Sequence, residues 1–172
     1  MRSVLVGGFT LVEVLVAMLV LAVGIVGASS AQMAAQRTRH QSALMSAAVH
    51  LAASLVERMR ANPVAMALGD ADNPYLIEYD AAADGPPAPA SCYGDADCSP
   101  GEIAQADLYE VREALRTGFP NGRIVVCRDA RTKLAWECQG AAGAPLVVKL
   151  GWRGNTGVDA PIVALVVPGV AG

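Results

Sequence analysis

The sequence is poor in the features that mark nucleic-acid-binding proteins and most enzymes. Aromatic residues make up only 5% of its 172 residues and the net charge is −3, so no basic, base-stacking surface and no nucleic-acid partner are expected. It lacks a glycine-rich phosphate loop followed by lysine, a G-x-S-x-G and an H-E-x-x-H. The histidines, His40 and His50, lie ten residues apart on a predicted helix and form no ligand pair. We therefore expect no catalytic residue, no cofactor-binding residue and no metal site.

Cysteine is absent from the first half of the chain. An even number of cysteines, without C-x-x-C spacing and downstream of a long apolar run, predicts structural disulfides in an exported domain. Joining nearest neighbours is the natural pairing, although three connectivities are possible and remain open. The four residues are Cys92, Cys98, Cys127 and Cys138.

Charge is also absent from residues 9–31, with the exception of Glu13. At 1.5 Å per residue this apolar run forms a helix of roughly 34 Å, enough to cross the hydrocarbon core of a membrane. A secretory signal peptide would have a shorter core followed by a cleavage site, whereas here Gly7 and Gly8 precede the core. A carboxylate in such a run is costly and calls for a partner. The simpler alternative is that Glu13 reaches the lipid headgroups.

The helical pattern continues beyond Ala31 but becomes amphipathic. We predict one helix of about 50 residues that ends before Pro63, because the residue preceding proline is disfavoured in the α region. Residues 9–31 form its membrane-spanning half, and residues 32–62 form an amphipathic half that packs on a globular domain. The apolar stripe, at three- and four-residue spacing, consists of Leu44, Ala48, Leu51, Leu55 and Met59.

Residues 63–172 are predicted to form the exported α+β domain. Residues 63–98 are rich in Ala, Gly, Pro and Asp, which predicts a long loop whose aspartates fit no EF-hand spacing. Ser99-Pro100-Gly101-Glu102 predicts a capped helix that ends at Gly118.

An antiparallel sheet is predicted after this helix. Residues 123–127 and 133–138 read as a hairpin, residues 146–152 alternate as a half-buried strand, and residues 162–167 form a last apolar strand. The predicted fold is therefore α+β, with the long N-terminal helix packed on a small antiparallel sheet, one extra helix and disulfides.

The N-terminal motif has a specific resemblance. Gly8-Phe9-Thr10-Leu11-Val12-Glu13, followed by Val14-Leu15-Val16-Ala17, resembles the class III signal of type IV prepilins and type II secretion pseudopilins. The resemblance implies that residues 1–8 are a leader, that a prepilin peptidase cuts between Gly8 and Phe9, and that Phe9 is N-methylated. It also aligns Glu13 with the family's glutamate. The new amino group on Phe9 of one subunit is positively charged and would pair with Glu13 of a neighbour.

The order of elements also resembles pilins. Residues 58–63, 98–100 and 147–153 are similar to stretches of the minor pilins called type IV pilus modification proteins (PilV). The resemblance implies a minor pilin in the bacterial inner membrane, with a single pass and a periplasmic C-terminal domain, that later joins a pilus at the cell surface. It would serve pilus assembly or initiation, and adhesion or twitching motility. Implied partners are the prepilin peptidase, other minor pilins, the major pilin, a tip adhesin and the inner-membrane assembly platform.

Other functions share parts of this pattern. A minor pseudopilin of a type II secretion system has the same kind of N-terminus, and a DNA-uptake pilin is a further variant. A single-pass anchored periplasmic enzyme or binding domain is a different class, for which Gly8-Phe9 would be a coincidence.

Overall fold

The computed structural model describes residues 8, 10–82, 85, 88–89, 91–94, 96–140, 143–152 and 160–169. It divides the chain into two compact units, with the boundary between Ala43 and Leu44. Helix α1 (Leu11–Ala61) contributes residues to both units. The described part of the second unit adds α2 (Pro63–Met66), α3 (Pro100–Gly118) and the strands β1 (Glu78–Asp80), β2 (Arg123–Arg128), β3 (Leu146–Gly151) and β4 (Val163–Val166). The predicted class, α+β with a long N-terminal helix and a small antiparallel sheet, is confirmed.

The end of α1 before Pro63 and the start of α3 at Pro100 were both predicted, and side-chain caps stabilise the helices at these two places. Helix α1 ends at Ala61, and Asn62 then caps α2 by accepting a hydrogen bond from the Ala65 N–H at 3.4 Å. Helix α2 itself was not predicted. At the start of α3, the Ser99 hydroxyl oxygen accepts from the Glu102 N–H at 3.3 Å, while the Glu102 carboxylate accepts from the Ser99 N–H at 2.8 Å. Bonds from the Ser99 hydroxyl and N–H lower the pKa of Glu102, so the carboxylate stays charged at the helix start.

One hydrophobic core joins the second half of α1, α3 and one face of the sheet. The spacing of the buried α1 residues by three and four places them on one helix face. On β3 the alternation of the strand sends every second side chain into the same core. The fully or almost fully buried members from these elements are Ala48, Ala52, Leu55, Met59, Ala104, Leu108, Val111, Leu115, Ile124, Val126, Leu146, Val148 and Leu150.

The sheet has the order β1-β2-β3-β4 and is antiparallel throughout its described strands. The predicted hairpin of residues 123–127 with residues 133–138 is wrong, because β2 pairs directly with β3 in the register Arg123↔Gly151 to Arg128↔Leu146. Residues 133–138 form no strand. Strand β1, in a region predicted to be a loop, was missed because its three residues carry no alternating pattern.

Strand β3 is also more buried than predicted. Every residue from Leu146 to Gly151 is buried, including Val147 and Lys149 on the face opposite the core. The prediction of a half-buried strand is therefore wrong, because residues 129–140, between β2 and β3, cover that second face.

The predicted disulfides are present. Cys92 is joined to Cys98 across a Cα–Cα distance of 5.8 Å, and Cys127 to Cys138 across 6.3 Å. Both distances lie within the usual range for a disulfide. Of the three open connectivities, the structure thus has the one that joins nearest neighbours.

A buried polar cluster fixes the end of α1 to α3. Tyr75 is fully buried, and its hydroxyl donates to the Asp107 carboxylate at 2.8 Å and accepts from the Asn62 amide at 3.2 Å. The same amide donates to the Pro100 carbonyl at 2.7 Å, and Arg58 donates to Asp107 at 3.0 Å. Burial is the main reason that the pKa of the Tyr75 hydroxyl lies above its ordinary value.

We predict that Tyr75→Phe lowers the free energy of unfolding by about 2 kcal/mol, because it removes a hydrogen bond to the largely buried carboxyl group of Asp107. The measurement is urea unfolding of the full chain in detergent. Tyr93→Phe is the matched control, since Tyr93 is 70% exposed and should unfold like the wild type. Equal stabilities of the Tyr75→Phe variant and the wild type would contradict the prediction.

Candidate functional site

Helix α1 begins at Leu11, two residues after the predicted processing site. Thr10 caps it, because the Glu13 N–H points to the Thr10 hydroxyl oxygen at 3.3 Å and to the Thr10 carbonyl at 3.1 Å. Glu13 is thus the third residue of the helix, where a negative charge interacts favourably with the helix dipole. The T-x-x-E pattern of residues 10–13 is that of a capping box and is the sequence signal for this local role, which was not predicted.

The first unit exposes an apolar helix surface. All described residues up to Ala43 are exposed, and this surface includes Leu11 at 76% and Val26 at 71% of their maximum. Helix α1 is the one helix, among the described residues, that is long and apolar enough to span a membrane. An apolar surface of this length is stable in a lipid bilayer or among similar helices, and not in water.

The residues of the predicted processing site are partly described. Gly8 is exposed, and a Cβ added to it would meet no atom within 4 Å. Glu13 is exposed and makes no ion pair within the described residues. Phe9 and leader residues 1–7 lie outside the described residues, so cleavage, methylation and the Phe9–Glu13 pairing remain predictions.

The helix continues unbroken through Gly24 and Gly27. A Cβ at either glycine would meet no atom within 4 Å, so packing within this chain does not require glycine there. The Ser29 hydroxyl donates to the Ile25 carbonyl at 2.9 Å, and the Ser30 hydroxyl donates to the Gly27 carbonyl at 2.8 Å. These bonds satisfy the two hydroxyls inside the apolar half of α1.

In the second unit, residues 129–140 form a strap over the outer face of β2 and β3. The Lys149 amine, buried at 2% exposure, donates to the Asp129 carboxylate at 2.5 Å. It also donates to the carbonyls of Ala135 at 2.8 Å and Glu137 at 3.0 Å. These two carbonyls accept from a side-chain amine and not from the backbone of a neighbouring strand, which is consistent with the absence of a strand at residues 133–138.

Asp129 is the counter-ion that makes a buried lysine tolerable. Burial of its carboxylate favours a higher pKa, but the hydrogen bond from Lys149 and those from the Arg131 and Gln139 N–H groups outweigh it. The pKa of Asp129 therefore lies well below its usual range, and its carboxylate is charged at neutral pH. The disulfide Cys127–Cys138 ties the strap to β2 as well.

A groove of about 610 Å³ lies beside the strap, on the outer side of β1 and β2. Four of its five charged residues are paired with one another, Arg123 with Glu78 at 2.5 Å and Arg128 with Asp70 at 2.7 Å, and the fifth is Glu137. The Arg123 guanidinium also lies 4.7 Å from the centre of the Trp136 ring. Within the described residues, no three His, Cys, Asp or Glu side chains are grouped as they would be to hold a metal ion. The described residues that line the groove include no serine, no threonine and no free cysteine.

Comparison with known proteins identifies the start of the chain. Residues 6–29 match a family model described as the prokaryotic N-terminal methylation motif. No curated protein and no solved structure matches the chain. The motif supports a type IV pilin-like or pseudopilin protein that is processed by a prepilin peptidase and assembles with other pilins. Together with the apolar half of α1, it fits a membrane-anchored structural subunit more closely than an enzyme.

We predict that Asp129→Asn lowers the free energy of unfolding at pH 7 by about 3 kcal/mol or more, because it leaves the Lys149 charge buried without a counter-ion. Since the folded-state pKa of Asp129 is lowered, its stabilisation is present above the unfolded pKa near 3.9 and is lost as the pH falls below that value. The difference between wild type and Asp129→Asn should therefore shrink in strongly acidic solution.

The measurement is urea unfolding of the full chain in detergent at several pH values. The double variant Asp129→Asn with Lys149→Met should recover part of the loss, because no charge is then buried. Asp70→Asn is the control and should cost less than about 1 kcal/mol, since Asp70 is exposed in its pair with Arg128. Equal losses in the single and the double variant would refute the proposed role of the buried charge.

Proposed function

We propose that the chain is a minor pilin of a type IV pilus, of the PilV kind, that is needed for pilus assembly or initiation. The observation that carries the proposal is the methylation motif at the start of an unbroken, exposed apolar helix. In this role, residues 9–31 are the membrane anchor and then part of the filament core. The exported domain, residues 63–172, supplies contacts rather than chemistry, and through them the pilus serves adhesion or twitching motility.

The maturation step follows from the motif. A prepilin peptidase removes residues 1–8 by cutting between Gly8 and Phe9, and Phe9 is then N-methylated. The exposure of Gly8 supports access of the peptidase to this bond. The mature chain would begin two residues before the start of helix α1 at Leu11.

Inter-subunit pairing then gives Glu13 a second role besides its place in the first helical turn. Phe9 of one subunit carries a positive amino group, and Glu13 of its neighbour carries a carboxylate. Each charge alone is costly between apolar helices, and the two together offset that cost. The pairing would also fix the axial register between subunits.

The location before assembly is the bacterial inner membrane, with a single pass and the C-terminal domain in the periplasm. The two disulfides support an oxidising compartment for that domain. The partners are other minor pilins, the major pilin, a tip adhesin and the inner-membrane assembly platform. The mature protein would reside in the pilus at the cell surface.

Three PilV-like stretches favour a pilus over type II secretion. They lie at the end of α1, at the start of α3 and along β3. Residues 58–63 end α1 and include Arg58 and Asn62 of the buried polar cluster. Residues 98–100 cap α3. Most of residues 147–153 belong to β3, and the last of them, Arg153, lies outside the described residues.

We predict that the mature protein has N-methylated Phe9 as its first residue when it is produced with a prepilin peptidase. Intact-mass measurement and N-terminal sequencing check this. Gly8→Val should remain uncut because a branched side chain would occupy the place of the recognised glycine, while Gly7→Val, the matched control, should be cut normally. An intact Met1 in the presence of the peptidase, or cleavage after Ala31, would overturn the pilin assignment.

Deleting the gene should remove or sharply reduce surface filaments while enzyme export stays normal. Filaments sheared from the complemented strain should contain the wild-type chain but about tenfold less of Glu13→Ala, because the pairing of charges is lost. Glu57→Ala is the matched control, since Glu57 is exposed on the same helix. Lost export with normal filaments would instead identify a pseudopilin, and normal incorporation of Glu13→Ala would refute the pairing role.

A further inference from the structure

Two arginines lie just beyond the apolar half of α1. Arg37 and Arg39, which we call the arginine belt, are exposed and belong to the first unit. The sequence contains no Asp or Glu between Glu13 and Glu57. Within the described part of the chain, neither arginine takes part in an ion pair. The belt is therefore a cationic site with no anion supplied by its own helix.

The height of the belt matches a membrane surface. From Leu11 to Ala31 the helix rises roughly 30 Å, which equals the thickness of the hydrocarbon core. Arg37 then lies about 9 Å, and Arg39 about 12 Å, further along the axis. Side chains on a helix lean towards its N-terminus, so both long arginine side chains lean back towards the bilayer and can reach the headgroup layer.

The positions of Arg37 and Arg39 around the helix favour a lipid partner over one face of a partner protein. At about 100° per residue, Arg37 and Arg39 are roughly 200° apart and thus lie on almost opposite sides of α1. One acidic face of a partner subunit can meet only one of these sides. A lipid headgroup layer surrounds the helix and can meet both.

We propose that the arginine belt binds the phosphate groups of anionic phospholipids in the leaflet through which α1 leaves the membrane. The proposal rests on the proposed function, because it requires α1 to be inserted. In the proposed orientation the belt is on the exported side of the membrane. The usual excess of positive charge on the cytoplasmic side therefore does not account for the belt.

The consequence is a defined depth for the chain before assembly. Phosphate contacts on both sides of α1 oppose sliding of the helix along the membrane normal. They would have to be released when the helix enters a filament. Attraction of this kind weakens with salt, so the depth should be salt-sensitive.

The test measures lipid binding to the full chain in non-ionic detergent by native mass spectrometry. The probes are dioleoyl phosphatidylglycerol and, as the zwitterionic comparison, dioleoyl phosphatidylcholine. We expect the wild type to prefer phosphatidylglycerol, and Arg37→Gln and Arg39→Gln each to weaken that binding roughly fivefold. Arg60→Gln is the matched control, because Arg60 lies on the same helix beyond the headgroup layer and pairs with Glu57.

Equal binding of the two lipids by the wild type, or equal losses in the Arg60 and belt variants, would overturn the proposal. The double variant Arg37→Glu, Arg39→Glu gives a further test. If it binds phosphatidylglycerol like the wild type but fails to enter filaments, the proposal is overturned, because the arginines would then meet an acidic protein face. Flotation of the wild type with phosphatidylcholine vesicles separately reports insertion. If the chain floats but shows no lipid preference, the lipid proposal fails while membrane anchoring stands. If the chain does not float, membrane anchoring fails as well.

Discussion

The apolar half of α1 cannot be covered by its own chain, and the rest of the architecture is arranged around that constraint. Residues up to Ala43 are exposed throughout their described part, so the hydrophobic effect that stabilises them must come from lipid or from other helices. Only the later turns of α1, from Leu44 onward, contribute to the core of the second unit. One continuous helix therefore serves two environments, and its side-chain pattern changes from uniformly apolar to amphipathic between them.

The second unit solves a different problem, which is how a small sheet can be covered on both faces. The core of α1 and α3 covers one face, and the strap covers β2 and β3 on the other. The strap has little apolar surface to offer. It is held by a buried lysine that donates to one carboxylate and two carbonyls, by a disulfide, and by Trp136 against Gly151. Polar and covalent attachments thus replace part of the hydrophobic packing.

Local signals allowed the helices and the N-terminal motif to be predicted. The Asn62-Pro63 stop and the Ser99–Glu102 capping box act over a few residues, and the structure contains both features. The long apolar run was equally plain, because its length alone separates it from a core helix.

The predictions that were wrong or missed depend on interactions between residues far apart in the sequence. Lys149 looked like a solvent-facing position in an alternating strand, and only the partner Asp129, twenty residues away, makes its burial possible. Strand β1 exists because β2 has a free edge for it to pair with, which its own three residues do not encode. For the candidate site, the motif predicted where chemistry would occur on Gly8 and Phe9, but the cap formed by Thr10 required recognition of a second pattern in the same residues.

The polar cluster at the end of α1 also determines how the domain would respond to a mechanical load. Arg58 lies in the last turn of α1 and Asn62 directly follows the helix, and both are bonded to α3. Because both attachments lie within four residues of each other at one end of α1, a pull on the helix would load them together. Bonds that are loaded together resist force better than bonds that are loaded one after another, because several must break in the same event. A helix joined to its domain in this way is suited to transmit tension without separating from it.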